Sequence, residues 1–92
     1  MKIPTKIKIG GLRYRVRVVK KINDSEDSGE TDTEKLIISL HAGQKQSALE
    51  ITFLHEVLHA ININLDEKEV EYLAMAFYGV LKDNPRLFKY DK

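Results

Sequence analysis

Two histidines four residues apart, His55 and His59, are the side chains of this sequence best placed to do chemistry. With Glu56 they form the pattern H-E-x-x-H, inside the stretch TFLHEVLHAIN at 52–62. On a helix, residues four apart lie one turn apart on the same side, so both imidazoles can bind one metal ion. Glu56 lies beside them and can act as a general base. This combination is typical of a zinc hydrolase.

The residues around the motif predict a buried helix over 44–62. Apolar side chains cover most of the circumference of that helix when successive residues are placed about 100° apart. Apart from Glu50, the polar residues form one stripe: Thr52, His55, Glu56, His59 and Asn62. A polar stripe on a buried helix needs partners, and a metal would supply them. The alternative is that both histidines are core residues bonded to neighbouring backbone or carboxylate groups.

A second helix is predicted from Glu67 to about Lys82. Asp66, followed three residues later by Glu69, forms a capping box, and the Asn-Pro pair at 84–85 ends the helical pattern. The apolar face of this helix is formed by Val70, Leu73, Ala74, Phe77, Val80 and Leu81.

A catalytic zinc site requires a third protein ligand and leaves one position for water. The chain has no cysteine, so His, Glu or Asp must provide the ligands. Glu67 and Glu71 share one edge of the apolar face of the second helix. Glu71 borders the packed face, where an unpaired charge is costly, and is the predicted third ligand. Glu67 is the alternative.

Two further residues are candidates for the same site. Tyr78 lies two turns beyond Glu71 on the same stripe, and its hydroxyl could donate to an oxyanion. The alternative is a core tyrosine whose hydroxyl reaches solvent. His41 is a third possible imidazole, although a surface position at a strand end is the simpler interpretation.

The rest of the chain predicts a small sheet. Apolar and polar residues alternate over 3–9 and again over 12–19, with a Gly-Gly hairpin signal at 10–11. The polar, acidic segment 20–34 is predicted to be a mobile loop, and 36–40 a third strand. The predicted fold is therefore α+β: one domain over 1–92, with a three-stranded, mainly antiparallel sheet packed on two helices and the metal site between the helices.

Charge is distributed unevenly along the 92 residues. Residues 1–22 contain eight Lys or Arg and no acid, and residues 23–34 contain six acids and no base. A basic face could bind nucleic acid or an acidic partner, or it could simply be the solvated face of edge strands. Because the sequence has neither a membrane-length apolar run nor a signal-peptide core, we expect a soluble, cytoplasmic protein.

The two helical segments together resemble a known group of proteins. HEVLHAI at 55–61 and EYLAMAFYGVLKDNP at 71–85 are similar to the gluzincin side of the zincins, above all to the small ImmA/IrrE-like metallopeptidases and their short phage and prophage relatives. Those proteins carry H-E-x-x-H on one helix and E-x-x-A-N-x-F-A on the next. Glu71, Ala74 and Phe77 match the second pattern, whereas Met75 replaces the usual Asn and Tyr78 the usual second Ala.

This resemblance covers about residues 35–85 and implies a zinc-dependent peptidase in which Glu71 is the third ligand. It also implies that the strand nearest the site, here 36–40, pairs with an extended substrate peptide, and that the substrate is a regulatory protein such as a repressor. Two alternatives stay open: a zincin-like module that binds proteins without cleaving them, and a nucleic-acid-binding protein that uses the basic hairpin. The oligomeric state is not predicted.

Overall fold

Four strands and two helices make up the described part of the chain, residues 2–22 and 27–87 of a computed structural model. In chain order they are β1 (Lys6–Ile9), β2 (Leu12–Val19), β3 (Gly29–Asp32), β4 (Ile37–His41), α1 (Gln46–Ile61) and α2 (Glu67–Asp83). Both helices lie where the sequence predicts them, within two residues at each end. The predicted α+β class is confirmed.

The hairpin of β1 and β2 is confirmed, with a turn that needs its two glycines. Gly10 and Gly11 have φ of +57° and +83°, the left-handed region that a tight two-residue hairpin turn requires. On β2 the predicted apolar side is only partly covered. Tyr14 and Val16 are buried in its middle, whereas Leu12 and Val18 are about half exposed at its ends.

The sheet has four strands in the order β1-β2-β4-β3, so the prediction of three strands is wrong. β1 pairs antiparallel with β2, β2 pairs parallel with β4, and β3 pairs antiparallel with β4. The segment at 36–40 is therefore an internal strand with neighbours on both sides. The prediction that this strand offers a free edge to a substrate peptide is wrong, because β3 occupies that edge.

The extra strand, β3, lies in the segment that was predicted to be a loop; residues 23–26 of that segment lie outside the described residues. Its sequence is GETD, and Gly, Glu and Asp are all depleted in strands. Pairing with β4 and contact with α1 hold it in place, and neither is visible in the local sequence pattern. Tertiary contacts therefore override intrinsic propensity here.

The elements stack in three layers: sheet, α1, α2. One face of the sheet and the inner side of α1 form the core, composed of Tyr14, Val16, Ile38, Leu40 and Phe53. On the other side of α1 lies α2, which contacts α1 and no strand within the described residues. α1 is thus the middle layer, which explains why its sequence is apolar nearly all round.

The ends of α2 differ in detail from the sequence-based expectation. Asp66 is the N-cap residue, but its side chain forms no capping hydrogen bond, so the predicted capping box is absent. The apolar residues Leu87 and Phe88 after this helix suggest a tail that packs back onto the core, but Leu87 is about half exposed, and Phe88 lies outside the described residues. No helix in the described ranges has the length and apolar content needed to cross a bilayer.

Candidate metal centre

Side chains from both helices converge at one point between α1 and α2. The Nε2 atoms of His55 and His59 are 3.1 Å apart. Glu67, the first residue of α2, places Oε1 2.5 Å from Nε2 of His55 and Oε2 3.1 Å from Nε2 of His59. These three residues form a group that could hold a metal ion. The two histidines predicted as ligands therefore do lie together, with one carboxylate against both.

The three contacts cannot all be ordinary hydrogen bonds while Glu67 is ionised. If each imidazole Nε2 carries a proton, the two N–H groups can donate side by side to the two oxygens of Glu67, and the His55–His59 contact is then not a hydrogen bond. The alternative is a cation at the centre, towards which all three groups can turn a lone pair.

The three side chains are also close enough to share one small ion, with one ligand atom from each lying within 4.8 Å of the others. Zinc bonds to His nitrogen and carboxylate oxygen are about 2.0–2.2 Å long, which puts neighbouring ligand atoms about 3.3 Å apart. The two Nε2 atoms are 3.1 Å apart, and Glu67 contacts His55 through Oε1 at 2.5 Å and His59 through Oε2 at 3.1 Å. Two imidazoles and one carboxylate with a side open to solvent form the ligand set of a catalytic zinc site. The residues present therefore fit the metal that the motif implies.

The surroundings of Glu67 favour its charged form. Partial burial raises the pKa of this carboxyl, but hydrogen bonds with His59 and His55 outweigh that effect, and the net shift is downward. The side chain is 67% exposed, whereas those of His55 and His59 are about one-fifth exposed. The centre is thus open to solvent on the side of α2.

Glu71, the predicted third ligand, lies one turn further along α2. It lines the same cavity as the two histidines but is not part of the group of converging ligand atoms, a position that Glu67 takes. The preference for Glu71 assumed that it borders the packed face of α2. In the structure its side chain is exposed, so it has no need of a metal to offset burial.

Glu56, the predicted general base, is buried between α1 and the edge strand β3. The hydroxyl of Thr31 lies 2.8 Å from Oε1 of Glu56 and 3.0 Å from its backbone carbonyl. Burial raises the pKa of Glu56, and the hydrogen bond from Thr31 offsets part of that rise. Oε2 accepts no hydrogen bond from the described residues, so it is the oxygen that remains able to exchange a proton with a reactant.

Gly29 allows β3 to lie this close to α1. A Cβ atom added at this position would lie 2.7 Å from Cγ2 of Thr52 and 3.0 Å from both Cγ and Oε2 of Glu56. Real Cβ atoms essentially never come as close as 2.7 Å to another carbon, so any side chain here would push the strand away from the helix. The glycine therefore sets the distance between the edge strand and the candidate base.

These groups line an open groove that runs beside β3. A cavity of about 530 Å³ contains His55, His59, Glu56, Glu67 and Glu71, with Ile51 and Met75 on its apolar wall and Asp27 and Ser28 at its β3 end. A second hollow, of about 310 Å³, shares Glu56 and His59 and extends to Thr31, Thr33 and Ile63. The candidate metal centre thus lies in an open cavity, with a second hollow on the other side of Glu56 and His59.

Tyr78, predicted as an oxyanion donor, lies elsewhere. Its hydroxyl donates to Oε1 of Glu50 at 2.8 Å and does not line the cavity around the histidines. Glu50 is almost fully buried, and Gln46 donates to its second oxygen at 2.8 Å. Tyr78 therefore links α2 to α1, and this position does not support the predicted oxyanion contact.

The third histidine also lies outside the centre. Nδ1 of His41 accepts a hydrogen bond from the backbone N–H of Gly43 at 3.1 Å, at the end of β4. The interpretation as a histidine at a strand end describes this position.

No protein-family model, curated protein or solved structure matches this chain. The likeness to ImmA/IrrE-like metallopeptidases therefore rests on the residues quoted above.

Two residues that shape the site were not identified from the sequence. Thr31 and Gly29 lie in a segment that was predicted to be a loop, and only the pairing of β3 with β4 brings them to Glu56. Glu50, the one polar residue off the stripe of the first helix, does not line the cavities around the candidate centre. A charged residue on the apolar side of a buried helix signals a buried partner, which turns out to be Tyr78.

Proposed function

We propose that this protein is a zinc-dependent peptidase whose metal is held by His55, His59 and Glu67. The observation that carries the proposal is the convergence of two Nε2 atoms and one carboxylate, with contacts of 2.5–3.1 Å, which one cation could bind together. A carboxylate directly beside two such histidines is the arrangement of a metal-assisted hydrolase.

Zinc at this centre would polarise a carbonyl group and lower the pKa of a water molecule. Glu56 acts as the general base: Oε1 is held by Thr31, and Oε2 takes a proton from the attacking water and later delivers it to the leaving amine. The raised pKa of Glu56 suits this role, because a base close to the working pH can both accept and release a proton.

The substrate in this proposal is an extended peptide that pairs with the free edge of β3. In an antiparallel pair, alternate residues turn their N–H and C=O groups away from the partner strand. His41 donates to the carbonyl of Ser28, which makes Ser28 a hydrogen-bonded position. Gly29 and Thr31 are therefore the residues whose backbone groups face outward. Both lie next to Glu56, so a strand added at this edge passes along the groove.

Metal content tests the first half of the proposal. Untagged protein purified without chelator is expected to contain about one zinc per chain by plasma mass spectrometry. His55→Ala and Glu67→Ala should lose the metal. Glu56→Gln should keep it, because Glu56 is not a proposed ligand. A wild-type protein that holds no zinc, even after zinc is added to the folded chain, would overturn the proposal.

Cleavage of a peptide library tests the second half. Peptides derived from a bacterial proteome are incubated with the zinc-loaded protein, and new termini are identified by mass spectrometry. Wild type is expected to create them and Glu56→Gln is not. Zinc-dependent cleavage retained in Glu56→Gln removes Glu56 as the base. Bound zinc without cleavage favours the alternative of a protein-binding module with a zincin-like centre.

A further inference from the structure

The face of the sheet that points away from α1 carries five positive charges. Lys6 and Lys8 on β1 and Arg13, Arg15 and Arg17 on β2 alternate with the core-facing residues, and all five are exposed. We call this set the basic face. Within residues 2–22 and 27–87, none of the five forms an ion pair.

The register of the hairpin places these cations directly opposite one another. Lys6 pairs with Arg15, and Lys8 pairs with Arg13. Like charges at directly opposed positions of two strands destabilise the pairing. This arrangement therefore does not stabilise the fold by itself. An anionic partner bound to this face would offset the repulsion between the opposed cations.

Arg17 extends the basic face across the next strand. Its Nε donates to the hydroxyl of Ser39 on β4 at 2.8 Å, and Ser39 is only 2% exposed. The hydrogen bond holds the guanidinium against the sheet while its two terminal nitrogens remain available. A planar guanidinium with free terminal N–H groups is well suited to phosphate oxygens.

The acidic residues of the sheet lie at its far edge. Glu30 and Asp32 on β3 pair with Ser39 and Ile37 of β4, so β4 separates them from the cations of β1 and β2. The formal net charge of the whole chain is only +1. The five cations are therefore a local concentration of charge and not the consequence of a generally basic protein.

We propose that the basic face binds the phosphate backbone of double-stranded nucleic acid. Arg13 and Arg17 are about 13 Å apart along β2, and β1 lies about 4.8 Å from β2. The five charges therefore form a patch long enough to contact several phosphates on one side of a duplex. The aromatic residue of the hairpin, Tyr14, is buried on the opposite side of the sheet. Without an aromatic platform for unstacked bases, the face suits a duplex better than a single strand.

This interaction is separate from the candidate metal centre. The centre lies between α1 and α2, and the core between the sheet and α1 separates it from the basic face. Binding to nucleic acid must therefore survive loss of the metal ligands, and Glu67→Ala is expected to bind the duplex as wild type does.

The experiment measures fluorescence anisotropy of a labelled duplex DNA of about 20 base pairs over a series of salt concentrations. If all five cations meet phosphates, log Kd should rise with log salt concentration with a slope of up to about 4.5. Arg13→Gln and Arg15→Gln should each weaken binding at low salt and lower the slope by about one. Lys68→Gln, which removes an exposed positive charge from α2, is the matched control and should leave both quantities unchanged.

Three outcomes would overturn the proposal. The first is no binding to the duplex at about 50 mM salt, where phosphate contacts are strong. The second is an equal loss of binding in Lys68→Gln, which would mean that general charge and not this face is responsible. The third is stronger binding to anionic phospholipid vesicles or to a single strand of equal length. Circular dichroism should show that Arg13→Gln and Arg15→Gln stay folded, with an unchanged or higher unfolding midpoint.

Discussion

The hydroxyl of Thr31 lies 2.8 Å from Oε1 of Glu56 and joins the edge strand to the proposed base. Thr31→Val keeps the shape of the side chain and removes the donor of a hydrogen bond, which is typically worth about 0.5–1.5 kcal/mol. If that energy is lost from the transition state, kcat on a cleaved library peptide should fall up to about tenfold with little change in KM. Thr31→Ser should restore kcat. Zinc content should be equal in all three proteins, and a parallel loss of zinc would indicate a structural role instead.

Gly29→Ala should destabilise the protein, because the new methyl group would lie 2.7 Å from Cγ2 of Thr52. Overpacking of this kind typically costs about 1–3 kcal/mol in the free energy of unfolding, which a urea titration would measure. Thr52→Ser is the compensating change. It removes Cγ2 and keeps the hydroxyl that donates to Gln44 at 2.8 Å. The double variant should therefore regain part of the lost stability, and failure to do so would place the clash at Glu56.

Zinc affinity should distinguish the two carboxylates of α2. Glu67→Ala is expected to weaken zinc binding by more than about 100-fold, beyond the usual effect of losing a group that only supports a ligand. Glu71→Ala removes the same charge from the same cavity and is expected to change affinity by much less. Competition with a chromogenic zinc chelator gives both values. The reverse order would restore Glu71 as the third ligand.

The hydrogen bond between Tyr78 and Glu50 should contribute to stability. Tyr78→Phe removes a donor to a charged, buried acceptor, and such bonds are worth about 1.5–3 kcal/mol. The loss should appear in the free energy of unfolding. Zinc content should stay at the wild-type value, since Tyr78 does not line the candidate centre. A specific loss of cleavage in a stable Tyr78→Phe protein would instead support the oxyanion role predicted from the sequence.

Glu50 should make stability depend on pH. Hydrogen bonds from Gln46 and Tyr78 lower the pKa of this carboxyl below its ordinary value of 4.5. Its contribution to stability is therefore complete above pH 4.5 and is lost as the pH falls through the lowered pKa of the folded state. In urea titrations at about pH 7 and about pH 3, Glu50→Gln should lose less stability than wild type on acidification. An equal loss in both proteins would contradict this role.

The sequence predicts the parts of this protein that follow a local period. The helix bearing His55 and His59, the second helix and the hairpin are all recognisable from spacing, because each buries one regular set of side chains. β3 is not recognisable, since GETD has no apolar alternation, and among the described elements β4 and α1 hold it in place. The sequence also does not decide whether Glu67 or Glu71 is the third ligand. That choice depends on the packing of α2 against α1, and a helical wheel describes one helix only.

The layered arrangement also bears on which part of the molecule opens first. α2 contacts α1 and no strand within the described residues, so it can detach while the sheet and α1 remain packed. Such partial opening needs less free energy than global unfolding and exposes backbone amides to exchange. An ion shared by His55, His59 and Glu67 would bridge the two layers at the first turn of α2. Deuterium uptake along α2 would then report occupancy of the centre without any substrate.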